Sequence, residues 1–115
     1  MRVTVYAEDI EIGQSASYAR TVTEKDIALF GEATGDMNPV HFDEAYAATT
    51  PFKTRIAHGM LTAGYFSAVL GTKLPGAGSI YASQTLAFKA PVRIGDEVVA
   101  TCTVIAKDRR RVTLS

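Results

Sequence analysis

The sequence is poor in cysteine and in net charge, and each shortage excludes a class of protein. Its single cysteine, Cys102, cannot form an intrachain disulfide or supply a four-thiolate metal site. Twelve basic residues balance twelve acidic ones, which argues against a nucleic-acid partner. The N-terminus lacks the apolar run of a signal peptide, and the stretch 56–74 is too polar to span a membrane. We therefore expect a cytoplasmic protein with no membrane partner.

Length and composition indicate one small domain with a core. The chain has 115 residues, of which 47% are hydrophobic, and it contains no internal repeat or linker-like tract. We therefore predict a single domain over residues 1–115.

The first half carries signals for one strand and two helices. Residues 11–22 contain turn chemistry followed by a strand-like segment. Thr23 can cap a helix that Gly35 would end. Pro39 excludes regular helix between Gly35 and His41. Asp43 can cap a second, short helix over 44–48.

The second half predicts a long helix followed by strands, which makes the fold class α+β. Residues 59–70 are apolar on nearly all sides, so we expect a buried helix that Gly71 ends. Strands are expected over 80–90 and 98–106, with Cys102 as inert core, and another begins near Arg111. The chain stops inside this last strand-like segment, so the strand is short or the sheet lacks its last strand.

Candidate chemistry is concentrated around the two histidines of the chain, His41 and His58. Asp36 and His41 are five positions apart with Pro39 between them, so the loop can direct a carboxylate and an imidazole at one water molecule. Asn38 offers a donor and an acceptor in the same turn. This arrangement favours proton transfer.

The second candidate element is the start of the long helix. The first amides of a helix have no partner within it, and Gly59 would let a substrate carbonyl approach one of them. Ser67, two turns later, can add a hydrogen bond to substrate or side chain. Such groups suit addition of water to a conjugated thioester, and we expect neither a metal nor another cofactor.

Three blocks of the sequence resemble the MaoC-like (R)-specific enoyl-CoA hydratases. The Asp-x-Asn-Pro-x-His motif at 36–41 resembles their hydratase motif, and 56–61 resembles the start of their central helix. Residues 78–81, 84–92 and 94–96 resemble the strand and turn that follow. The likeness runs from about Glu11 to Val104 with consistent spacing.

The resemblance implies a hot-dog fold, in which an antiparallel sheet wraps a long helix, and a homodimer. It implies that Asp36 and His41 form the catalytic dyad, that the Gly59 amide binds the substrate carbonyl, and that Ser67 supports the site. Asn38 is a further substrate-binding candidate, although support of the turn is the stronger interpretation. Family members usually continue through another long strand.

At several other positions a purely structural role competes with a catalytic or binding role. His58 is expected to structure the helix start rather than to catalyse, and Gly59 could be a packing glycine. Lys53, Arg55 and the run 109–111 could meet the phosphates of coenzyme A, but solvated charges are the default. A metal site formed by Asp36, His41 and His58 is not expected.

The resemblance implies hydration of (2E)-enoyl-CoA to (R)-3-hydroxyacyl-CoA. The short loop at 74–76 resembles that of short-chain hydratases, which link β-oxidation to polyhydroxyalkanoate synthesis. Three alternatives stay open: a dehydratase acting on acyl-carrier-protein thioesters, a hot-dog acyl-CoA thioesterase, and a non-catalytic acyl-CoA sensor.

Overall fold

The computed structural model describes residues 9–108 and 112–115 of the chain. These residues form four helices and three strands, which confirms the α+β class. They fall into two compact units. The first contains residues 9–19, 64–85, 99–108 and 112–115, and the second contains Arg20–Ala63 and Leu86–Val98.

A three-stranded sheet follows the order of the strands along the chain. Its strands are β1 (Ser15–Thr21), β2 (Glu97–Lys107) and β3 (Val112–Leu114), in the order β1-β2-β3. β2 pairs antiparallel with β3, with an irregularity in register between Val104 and Ala106. These strands match the segments predicted near 15–22, 98–106 and 111–114. Arg109 to Arg111 lie outside the described residues.

The predicted inward face of β2 is buried along most of its length. Ala100, Cys102 and Val104 are buried, whereas Ala106 is exposed beyond the register irregularity. Burial raises the pKa of the Cys102 thiol, which suits the inert core position expected from sequence. Val104 also forms a small core cluster with Ile10 and Leu74.

The prediction of a strand over residues 80–90 is wrong. No strand is assigned there, and residues 80–90 are exposed throughout, with Ile80 88% exposed. A strand needs a neighbour for its backbone hydrogen bonds, and the three assigned strands do not provide one. Alternation of side chains alone therefore did not produce a strand.

Helix α1 (Glu24–Thr34) begins and ends where the sequence predicted. Thr23 is its N-cap, and Asp26 completes a reciprocal capping box. A 2.6 Å ion pair with Arg20 also holds the largely buried Asp26 and lowers the pKa of its carboxyl group. Gly35 ends the helix in the left-handed conformation, with φ of 81°.

A single helical turn, α2 (Pro39–Phe42), lies where regular helix was excluded. Asn38 does adopt non-helical angles, as predicted for a residue before proline, and it caps the turn. Pro39 fits because the first position of a helix needs no amide donor. The short helix α3 (Glu44–Ala48) follows with Asp43 as its cap, which confirms the prediction.

The long helix, α4 (Gly59–Thr72), continues one residue beyond its predicted glycine stop at Gly71. It is not buried on all sides: Ala63, Tyr65 and Val69 are buried, whereas Met60 is 50% exposed. The prediction of burial from overall hydrophobicity therefore overestimated how much of α4 is buried. Among the described residues, every helix is too short or too polar to cross a membrane.

Two glycine-to-alanine substitutions are expected to change stability in opposite directions. Gly35→Ala forces a side chain into left-handed backbone and should lower the free energy of unfolding by roughly 1–2 kcal/mol. Gly64→Ala lies inside α4, where an added Cβ meets no atom within 4 Å, and should raise it by about 0.5–1 kcal/mol. Urea denaturation measures both, and equal shifts of the same sign would contradict the assigned helix end.

Candidate active site

Three hydrogen bonds hold Asp36 in the loop that follows α1. Its amide donates to Thr34 Oγ1 at 3.2 Å, and its carboxylate Oδ1 accepts from the Asn38 amide at 3.3 Å. Its main-chain oxygen lies 3.0 Å from Nε2 of His58. The residue itself is exposed, so its carboxylate is restrained by the turn and still accessible to water.

The short helix α2 holds the His41 ring in one orientation. The His41 amide donates to the Asn38 carbonyl at 2.9 Å, and ring atom Nδ1 lies 2.7 Å from the carbonyl oxygen of Ile56. Because a carbonyl can only accept, Nδ1 must carry the proton of this bond. In the neutral ring Nε2 is therefore the unprotonated nitrogen, which is the atom needed for a general base.

The surroundings favour the neutral form of His41. Its side chain is 8% exposed, and burial lowers its pKa below the ordinary value of 6.5. The hydrogen bond to Ile56 and the charge of Asp36 oppose this shift, whereas the neighbouring His58 adds to it. Around neutral pH the ring is consequently available to accept a proton.

Arg55 supports the main chain of His41. Its Nε donates to the His41 carbonyl at 2.7 Å, and its Nη1 forms a 2.7 Å ion pair with Glu24. The Arg55 side chain is largely buried, so the solvated charge expected from sequence is wrong here. Its observed partners give it a structural role, while Lys53 is exposed.

Asp36, His41 and His58 meet at one place. A carboxylate oxygen and one nitrogen from each ring all lie within 4.8 Å of one another. One water molecule can bridge groups at that separation, since each hydrogen bond spans about 2.8 Å. The same residue types can bind a metal ion. The two rings contact each other, with centroids 3.9 Å apart and planes inclined by 31°.

The start of α4 borders an apolar cavity. The cavity has a volume of about 220 Å³. An ideal Cβ on Gly59 would lie 2.8 Å from two ring carbons of Phe88, so this ring requires glycine beneath it. Packing thus explains Gly59, and its predicted role toward substrate stays a prediction. The cavity is lined by Phe52, Ile56, Ala57, Gly59, Thr62, Phe88, Lys89, Ala90, Pro91 and Val92.

Two further residues predicted to bind substrate are Asn38 and Ser67. The side-chain oxygen of Asn38 accepts a hydrogen bond from the Val40 amide at 3.1 Å. Asn38 therefore supports the turn, which was the stronger of the two interpretations from sequence. Ser67 is exposed on α4, eight residues after Gly59 and so about 12 Å further along the helix axis. Its supporting role stays a prediction.

Sequence reasoning missed contacts that involve main-chain atoms. The carbonyl of Ile56 and that of Asp36 each hold a histidine ring, and no residue type signals such a bond. The Thr34 hydroxyl, which accepts a hydrogen bond from the Asp36 amide, was not singled out from the sequence either.

Comparison with known proteins identifies the family of this chain. A family model described as the MaoC like domain matches residues 7–114. This chain belongs to the MaoC-like domain family.

Relatives within the MaoC-like family are similar over most of this chain. An (R)-specific enoyl-CoA hydratase of Rhodospirillum rubrum is 66% identical over 86% of the chain and 69% of that protein. A 3-hydroxybutyryl-CoA dehydratase of Methylorubrum extorquens is 51% identical over 96% of the chain and 72% of that protein.

A solved structure confirms the hot-dog fold expected from the resemblance. The (R)-hydratase of Aeromonas caviae, described as involved in PHA biosynthesis, superposes with a TM-score of 0.89 at 45% identity. The match covers 94% of this chain and 83% of that structure. The MaoC-like chain therefore has the hot-dog fold.

The buried environment of His41 predicts a specific pH dependence of stability. Between the lowered folded pKa and 6.5 the unfolded chain binds more protons than the folded chain. The stability contribution is therefore fully present above pH 6.5 and is lost as pH falls through the folded pKa. His41→Gln should flatten this part of the curve of unfolding free energy against pH. NMR should show the His41 ring titrating below 6.5, and titration above that value would contradict the assignment.

Proposed function

We propose that this chain catalyses (R)-specific hydration of (2E)-enoyl-CoA to (R)-3-hydroxyacyl-CoA. One observation carries the proposal: the Asp36 carboxylate lies within 4.8 Å of an imidazole of His41 whose Nε2 is left unprotonated. The similarity to the (R)-specific enoyl-CoA hydratases of Rhodospirillum rubrum and Aeromonas caviae supports the same reaction.

The reaction needs a water nucleophile and a returned proton. Asp36 and Nε2 of His41 hold one water, and His41 accepts a proton as the water oxygen bonds to C3 of the enoyl group. The C2–C3 π electrons move through C2 toward the thioester oxygen, where the first amide of α4, at Gly59, stabilises the negative charge. The accepted proton then returns to C2, so the elements of water are added without any other reactant.

The apolar cavity supports a short acyl substrate. Its volume of about 220 Å³ and its position beside Gly59 suit a small acyl group, and its lining includes neither Asp36 nor His41. The 3-hydroxybutyryl-CoA in the name of the Methylorubrum extorquens relative is a four-carbon example. The product would supply polyhydroxyalkanoate synthesis from β-oxidation, in keeping with the description of the Aeromonas caviae protein. A cytoplasmic location is part of the same proposal.

The proposed enzyme is a homodimer. Four large apolar side chains between residues 80 and 88 are each exposed, and exposed large apolar side chains are commonly covered at an interface. These side chains are Ile80, Tyr81, Leu86 and Phe88.

Substitution of either dyad residue should abolish most turnover. We expect Asp36→Asn and His41→Gln each to lower kcat for crotonyl-CoA by about a hundredfold or more, since the first removes the carboxylate that holds the water and the second removes the group that transfers the proton. Loss of the conjugated enoyl thioester absorbance measures the rate, and chiral chromatography should identify (R)-3-hydroxybutyryl-CoA. Asp43→Asn is the matched control, because asparagine caps α3 as well as aspartate does.

Other results would overturn the proposal. Near wild-type turnover by either dyad variant would exclude that residue from catalysis. Release of free coenzyme A by the wild-type chain would instead identify a thioesterase. A folded chain that converts only acyl-carrier-protein thioesters would be the dehydratase of fatty-acid synthesis.

The dimer is tested by light scattering after size-exclusion chromatography. The wild-type mass should be twice that of the chain, and Ile80→Asp should shift the population toward monomer by placing a charge in the interface. Ile12→Asp is the control, because Ile12 is also exposed, at 64%, but lies outside residues 80–88. A monomeric wild type, or equal effects of both substitutions, would contradict the proposed interface.

A further inference from the structure

His58 has contacts that a helix start does not require. Its carbonyl accepts from the Leu61 amide at 3.1 Å, which any residue at this position could do. Its ring is 2% exposed and stacks on His41 at 3.9 Å between centroids. Phe30 and Phe42 flank the same ring at 4.6 and 5.6 Å. An apolar residue could fill this space, so the imidazole calls for a separate explanation.

The hydrogen bonds of His58 define its protonation. Nε2 lies 3.0 Å from the main-chain oxygen of Asp36, and a carbonyl can only accept, so Nε2 carries a proton. Nδ1 is fully buried with no hydrogen-bond partner within the described structure. A buried acceptor without a partner costs stability, which makes this histidine a poor choice for the fold alone.

His58 therefore touches both halves of the proposed dyad. One edge of the ring bonds to the main chain of Asp36, and one face packs on the ring of His41. The loop that carries Asp36 is otherwise exposed, so this bond ties an accessible segment to a buried group.

We propose that His58 is a positioning residue whose Nε2–H donor, bonded to the main chain of Asp36, holds Asp36 and His41 in their reactive arrangement. The proposal rests on the hydration activity proposed above. Misplacement of a catalytic group by a fraction of an ångström reduces rate more than substrate affinity, so the role should appear in kcat rather than in KM.

Three variants separate the donor from the ring. His58→Phe keeps a stacked ring without the donor, His58→Gln keeps a donor without the ring, and His58→Leu keeps neither. With crotonyl-CoA, we expect kcat to fall roughly ten- to a hundredfold for phenylalanine and leucine, with KM within about twofold of wild type. Glutamine should retain kcat within about threefold of wild type. Urea denaturation should show that each variant remains folded, so that a fall in kcat does not reflect loss of the fold.

A readout independent of activity follows the same bond. Hydrogen–deuterium exchange of the peptide spanning residues 35–41 should accelerate in the phenylalanine and leucine variants and stay near wild type in the glutamine variant. If the wild-type chain hydrates no enoyl-CoA but exchange follows this order, the proposed function fails and the positioning role stands.

Two results would overturn the positioning role. The first is wild-type kcat in a folded phenylalanine or leucine variant. The second is a glutamine variant whose kcat and exchange match those of leucine, because the donor would then be irrelevant. If phenylalanine prevents folding, leucine and glutamine still decide the question.

Discussion

The hydrogen bond from Nδ1 of His41 to the carbonyl oxygen of Ile56 is the interaction on which the site depends. It fixes the proton on the nitrogen that faces the main chain and leaves Nε2 as the basic atom. Burial of the ring then keeps that atom neutral near physiological pH. Without this bond the imidazole could turn or exchange tautomers, and proximity to Asp36 would no longer ensure a base.

Local features of the chain bring this bond about. The left-handed Gly35 ends α1 and directs the chain into the loop, and the pair Asn38-Pro39 starts the single turn that carries His41. Arg55 then holds the carbonyl of His41 through a largely buried side chain. Close packing adds to this, since a Cβ on Gly31 would lie 2.5 Å from the ring of Phe42.

Sequence predicted best where the signal is local. The Thr23 cap, the Gly35 stop and the Asp43 cap each depend on a few neighbouring residues, and all three are confirmed. Predictions that depend on distant partners did less well. The alternating pattern over 80–90 could not supply the neighbouring strand that a sheet requires.

The candidate site shows the same division. The spacing of Asp36 and His41 indicated a shared water, and the structure brings their polar atoms within 4.8 Å. The sequence did not reveal the groups that hold the two histidine rings, because these are the main-chain carbonyls of Ile56 and Asp36, and every residue type has such a carbonyl. His58 was visible in the sequence, but only its stack on His41 and its bond to Asp36 distinguish it from a packing residue.

Nitrogen-15 NMR of the two imidazole rings at alkaline pH tests the central claim most directly. The account predicts opposite tautomers: in His41 the proton lies on Nδ1 and Nε2 is bare, whereas in His58 the proton lies on Nε2 and Nδ1 is bare. A His41 ring protonated at Nε2 would contradict the account, because Nε2 could not then act as a base.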